Sequence, residues 1–196
     1  MIRSSERYKI LDNGVFEEKE PHTDDLLEMA RLYHVNEIVL PDWLGDGQKT
    51  YNSHSSFLHS LSNKERKEFI WMLVPQGSSP QDWMHMYVKY SSDFFCEDYK
   101  FSIGVPRIFP ERELAWRILC LETLREEKAL MKAPHHLLGL DDPAELVFLP
   151  FVRSVDTRWP FYLNSKYPGI RTSTVSESVE DIEWNIEILR KFAKNY

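Results

Sequence analysis

Four polar residues close apolar, strand-like runs in this chain, each just before a loop: Asp12, Asp42, Gln76 and Asp156. Asp156 is the sharpest case. It ends the run Phe151-Val-Arg-Ser-Val-Asp156 and is followed by Thr157, Arg158, Trp159 and Pro160. A carboxylate at a strand end, facing a loop, is where parallel-barrel enzymes carry catalytic groups. Two carboxylates suit chemistry at an acetal-like carbon. One attacks or stabilises an oxocarbenium-like centre, and the other moves a proton at the leaving group. A carboxamide beside a third carboxylate suits the edge of a purine, because Gln offers donor and acceptor together and Asp accepts from N–H groups. The set is consistent with chemistry on an N-glycosidic bond. Turn chemistry competes at each position. Asp12-Asn13-Gly14 is a good tight-turn sequence, Asp42 could cap the segment after it, Gln76-Gly77 could shape a loop, and Asp156-Thr157 could form an Asx turn. Asp46, in the same loop as Asp42, could serve in its place.

Strands and helices alternate around these residues. Residues 8–11, 37–40, 69–74, 100–103, 135–138 and a stretch within 147–155 read as strands. Helical spacing marks 22–33, with Thr23 as N-cap and Leu26, Leu27, Met29, Ala30 and Tyr33 inward. Helix is also expected over most of 50–67, with a break near Ser62-Asn63. Ser79-Pro80 opens another, with Trp83, Met84, Tyr87 and Val88 on its buried stripe. The longest is expected over 110–131. A short one opens at Asp142-Pro143, and an amphipathic helix over 176–194 closes the chain. Alternation of this kind implies βαβ crossovers and a parallel sheet. All strand ends then lie on one side, where Gly77, Gly104 and Gly139 let backbone amides approach a ligand. The expected fold class is α/β. It is a TIM-barrel-like (β/α) domain over residues 1–196, abbreviated or incomplete, with about six to eight parallel strands against the eight of a full barrel.

Composition narrows the function classes. The chain has 196 residues, 42% hydrophobic, with a formal net charge of −7, enough apolar material for one domain core. No sustained run of Lys and Arg is present, which argues against holding nucleic acid by bulk electrostatics. A local basic rim of Arg153, Arg158, Lys166 and Arg171 is the alternative. Cys96 and Cys120 are expected as thiols in a reducing compartment. No metal is expected, since His135 and His136 are strand neighbours that point to opposite faces. His54 and His59 are expected in solvent on a polar helix. There is no candidate Ser-His-Asp arrangement, P-loop or dinucleotide fingerprint. Residues 1–20 are charged and no apolar stretch reaches 18 residues, so a cytoplasmic protein without a membrane span is expected.

Six motifs in order carry a resemblance. Leu11-Asp-Asn-Gly-Val-Phe-Glu17, Ile38-Val-Leu-Pro-Asp42, Val74-Pro-Gln-Gly77, Ser102-Ile-Gly104, His136-Leu-Leu-Gly-Leu140 and Val152-Arg-Ser-Val-Asp-Thr157 together resemble the tRNA-guanine transglycosylase superfamily. The likeness runs from about residue 8 to about residue 160 and is nearest to the smaller phage and bacterial relatives associated with 7-deazaguanine bases in DNA. It implies Asp156 as the nucleophile at C1′ and Asp12 as general acid/base. It implies Asp42 and Gln76 on the base edge, Gly104 offering backbone groups, and Leu138 packed on the base face. Asn13, Gly77, Val105, Gly139 and Arg158 complete the implied substrate-binding set, and Trp159 and Tyr162 are candidates for stacking on a base.

The partners so implied are a free 7-deazaguanine base and an extruded nucleotide, in DNA rather than tRNA, because no Cys/His zinc subdomain follows. No cofactor is implied. An incomplete barrel would leave edge strands for a second copy to cover. The rival expectations are a non-catalytic module that holds a purine, a deazapurine, a nucleotide or a protein partner, and a nucleoside hydrolase in which water resolves the intermediate.

Overall fold

Short apolar runs bounded by turn residues and separated by amphipathic helices become parallel strands, because each must bury both faces. The computed structural model describes residues 8–12, 23–94, 99–107, 115–140 and 144–156, together with Glu183 and Glu187. The chain divides into two compact units, Met1–Gly104 with Met131–Ala133, and Val105–Leu130 with Pro134–Tyr196.

The first unit contains strands β1 (Ile10–Leu11), β2 (Glu37–Val39), β3 (Ile70–Leu73) and β4 (Lys100–Val105), the last residue of β4 belonging to the second unit. Its helices are α1 (Thr23–Leu32), α2 (Gly47–Ser60), α3 (Asn63–Glu68) and α4 (Pro80–Asp93). β1 pairs with β2, β2 with β3 and β3 with β4, every pair parallel, in the order of the chain. The ends of β1, β2 and β3 therefore share one edge, and Asp12, Asp42 and Gln76 follow them.

Local chemistry sets the helix starts. Asp46 caps α2 by accepting from the Lys49 amide at 2.9 Å. Ser62 and Glu65 form a capping box at α3, which explains the break expected near Ser62-Asn63. Ser79 caps α4, with Pro80 in the first turn where its missing N–H is harmless. Trp71, Met72, Leu73, Trp83, Tyr87 and Tyr90 are fully buried. Burial of each such side chain contributes about 1.5–3 kcal/mol. Glu37, at the start of β2, is also buried and accepts from the hydroxyls of Tyr8 and Ser102.

The second unit contains α5 (Trp116–Glu126), β5 (His135–Leu137), α6 (Ala144–Phe148) and β6 (Val152–Val155). β5 and β6 are parallel, with an irregularity between His135 and His136. The pairing continues past both strands: Leu140 donates to the Asp156 carbonyl at 2.8 Å, and the Asp156 amide to that of Leu137 at 3.2 Å.

The architecture is α/β, with six strands among the described residues, as the alternating pattern implied. Among the described residues, no helix is long and apolar enough to cross a membrane. Several finer expectations are corrected. Met29, Tyr33 and Val88 are exposed rather than inward. The helix expected over 110–131 is α5, which ends at Glu126, where Ala129 and Leu130 both donate back to the Leu124 carbonyl. The strand expected within 147–155 is β6, preceded by Val147 and Phe148 in α6, where the Leu149 amide still bonds to the Glu145 carbonyl at 2.9 Å. Asn13, Cys96, Arg158, Trp159, Tyr162, Lys166, Arg171, Trp184 and the side chains of the helix expected over 176–194 lie outside the described residues.

Candidate active site

In the first unit, the loops after β2 and β3 meet through side chains. Gln76 donates from Nε2 to Asp42 Oδ2 at 2.5 Å, and its Oε1 accepts from the Gly45 amide at 3.2 Å. Gln76 is fully buried and Asp42 is 8% exposed. The two therefore hold one loop against the other, and Gln76 uses both its donor and its acceptor in doing so. Gly77 has a packing reason of its own: a Cβ there would stand 2.4 Å from the Trp83 amide nitrogen at the start of α4. Asp46 serves as the α2 cap and not as a substitute for Asp42. Asp12 follows β1 directly and is exposed.

His54 lies below this loop pair and is fully buried, which corrects the expectation of a solvated ring; His59 is exposed. His54 falls on the same α2 face as Thr50, Phe57 and Leu58, so it takes an inward position of the helix. Its Nδ1 shares a 2.9 Å hydrogen bond with the Tyr90 hydroxyl. Burial pushes the ring down to about 3, against the backbone groups of Leu40 and Pro41, which favour the proton.

The second unit presents its carboxylate differently. The Asp156 side chain is 60% exposed, yet it is oriented from two sides. Its Oδ1 accepts from the Gly139 amide at 2.8 Å and lies 3.2 Å from His136 Nε2. Burial opposes its ionisation, but the hydrogen bonds from His136 and Gly139 outweigh that, and the carboxyl stays below its ordinary range. His136 is in turn bonded through Nδ1 to the Ser154 hydroxyl at 2.8 Å, and Ser154 Oγ accepts from Arg153 Nε at 3.3 Å.

The Gly139 amide is aimed by the backbone. Gly139 has φ +64, a left-handed conformation that side chains rarely tolerate, and the Arg107 side chain packs where a Cβ would go. Below it, Arg117 and Glu145 form a buried bidentate ion pair, with Nε to Oε1 at 2.8 Å and Nη2 to Oε2 at 2.6 Å. Arg117 also donates to the carbonyls of Leu138 and Gly139, each at 2.9 Å. Leu138 and Gly139 are half-buried, while Gly104 and Val105 are buried in β4, and the Val105 carbonyl accepts from the Leu138 amide at 3.0 Å. Several polar backbone groups of this region are thus committed to the fold, and the Asp156 side chain stays largely exposed.

Compared with known proteins, the chain matches no protein-family model and no curated protein. Among the described residues, no group of three or more His, Cys, Asp or Glu side chains is arranged to hold a metal ion.

Sequence reasoning missed three participants. A Ser-His-Asp chain is present after all, as Ser154, His136 and Asp156, although none was expected. The residues are cross-strand neighbours, and the irregularity between His135 and His136 brings His136 opposite Ser154. The signal available was the pair Ser154 and Asp156 at strand spacing. Arg117 was the third, hidden because a charged residue on a helix ordinarily marks a solvated face.

Proposed function

We propose that this chain is a base-exchanging glycosyltransferase on an abbreviated (β/α) barrel, which replaces guanine by a 7-deazaguanine base in DNA. The observation that carries the reading is Asp156: an open carboxylate at the end of a parallel strand, oriented by a ring N–H and a backbone N–H and kept ionised. The chain-order pairing of β1 to β4 supports the barrel. In the first half-reaction an Asp156 oxygen forms a bond to C1′ and the C1′–N9 bond breaks. The electron pair leaves with guanine, which takes a proton from the general acid, the role the resemblance gives to Asp12. In the second half, the incoming base gives its N9 proton to the same group, now a carboxylate, its N9 bonds C1′, and the C1′–O bond to Asp156 breaks with the electron pair returning to the Asp156 carboxylate. C1′ is shielded within a stacked duplex, so the nucleotide must be extruded or single-stranded. The roles of Asp42 and Gln76 on the base edge rest on the resemblance. Since Gln76 is buried behind Asp42, Asp42 is the member of the pair that a base would meet.

A second reading has one observation in its favour. Asp42 and Gln76 already satisfy each other, which suits a rigid pocket that holds a deazapurine without chemistry on the polymer. One experiment separates the two. Labelled guanine in a DNA oligonucleotide is incubated with the protein and with 7-cyano- or 7-aminomethyl-7-deazaguanine, and binding of the free bases is followed by calorimetry. Exchange that falls on the order of 10⁴-fold or more in Asp156→Asn supports the enzyme. Binding without exchange supports the second reading, and release of guanine without incorporation points to hydrolysis.

A further inference from the structure

We propose that His136 is a positioning residue for Asp156: its Nε2–H holds Oδ1 and leaves Oδ2 as the oxygen that attacks. This deepens the reading of Asp156 as nucleophile and rests on it. The argument is one of hydrogen-bond direction. A carboxylate only accepts, so the nitrogen facing Asp156 at 3.2 Å, Nε2, must carry a proton. At the other side of the ring, Nδ1 is hydrogen-bonded to Ser154 Oγ at 2.8 Å, and Oγ also accepts from Arg153 Nε at 3.3 Å. The ring is thus held from both sides, with Nε2 turned to the carboxylate.

The second donor on Oδ1 is the Gly139 amide at 2.8 Å. Two donors converging on one oxygen fix the rotation of the carboxyl group. The groups that face this pair are His136 on β5, Ser154 and Arg153 on β6, and Gly139 in the loop between β5 and α6. Arg117 on α5 acts at one remove, through the Leu138 and Gly139 carbonyls. His136 is 4% exposed, so its ring is held among protein groups.

Two measurements on the full chain test this, the first independent of activity. Long-range nitrogen–proton NMR at neutral pH should find the His136 ring protonated at Nε2. A ring protonated at Nδ1 alone overturns the proposal whatever the protein catalyses. The second measurement is the pH profile of adduct formation on guanine-containing single-stranded DNA. His136→Leu should lower the rate on the order of a hundredfold through kcat, with KM unchanged. It should also move the acid limb to higher pH, because a carboxylate that loses a donor is easier to protonate. His136→Gln, whose Nε2 can reach the same oxygen, should restore most of both. Unchanged kcat and acid limb in His136→Leu contradict the proposal. If the wild type forms no adduct, the functional reading fails, and the NMR result still decides the role of the ring.

Discussion

Asp42 and Asp156 both follow a parallel strand, yet the fold treats them in opposite ways. Asp42 is 8% exposed and is paired with a carboxamide that has no exposure at all. Asp156 is held by two donors on one oxygen while most of its side chain stays open. The first arrangement spends the carboxylate on tying two loops together. The second orients a carboxylate and leaves it accessible to solvent. A strand-end acid is thus informative only together with what holds it, and it is the supporting residues, Gln76 in one unit and His136 in the other, that separate the two cases.

The support of Asp156 reaches furthest, so breaking it should have the largest effect on stability. Glu145→Gln leaves the buried Arg117 without its counter-charge, and such a loss costs about 3–5 kcal/mol. Urea unfolding measures it. A loss below about 1 kcal/mol would mean that the Arg117 bonds to the Leu138 and Gly139 carbonyls suffice without the carboxylate.

Gln76→Leu sharpens the comparison from the other side. It removes the Gln76 donor from a nearly buried carboxylate, and a loss of about 1–3 kcal/mol is expected. Adding Asp42→Asn should recover part of the loss in the same unfolding experiment. If the double variant is no more stable than the single one, the pair is not what joins these loops.

His54 adds a smaller, pH-dependent term beneath Asp42. The folded ring titrates at about 3 against 6.5 for an ordinary histidine. Below pH 6.5 the unfolded chain therefore takes up a proton that the folded chain refuses. Its contribution is fully present above pH 6.5 and is lost progressively as pH falls toward 3. Between pH 7 and pH 5 the loss is about 2 kcal/mol. A difference curve between wild type and His54→Asn, whose amide can still meet Tyr90, should show that slope. A flat difference would place the ring in contact with solvent.

Much of the fold was legible because buried parallel strands read as short apolar runs and because caps such as Ser62 and Ser79 are local. Element ends were less so: the helix expected over 110–131 stops at Glu126, where Ala129 and Leu130 turn back onto the Leu124 carbonyl. Asp156 was legible as a carboxylate that so apolar a strand must supply with partners. Those partners were not, because His136 and Ser154 meet only through strand pairing, across an irregularity between His135 and His136. His54 was misread because a histidine among serines and asparagine looks solvated until the α2 face it shares with Phe57 and Leu58 is known.

The central claim is that Asp156 is the atom-bonding nucleophile, and peptide mapping of a trapped adduct tests it most directly. Wild-type protein incubated with a guanine-containing single-stranded oligonucleotide, denatured and digested, should carry the nucleotide mass on the peptide that holds Asp156. A stable adduct mapped to Asp12 or Asp42, or one that forms undiminished in Asp156→Asn, would contradict it.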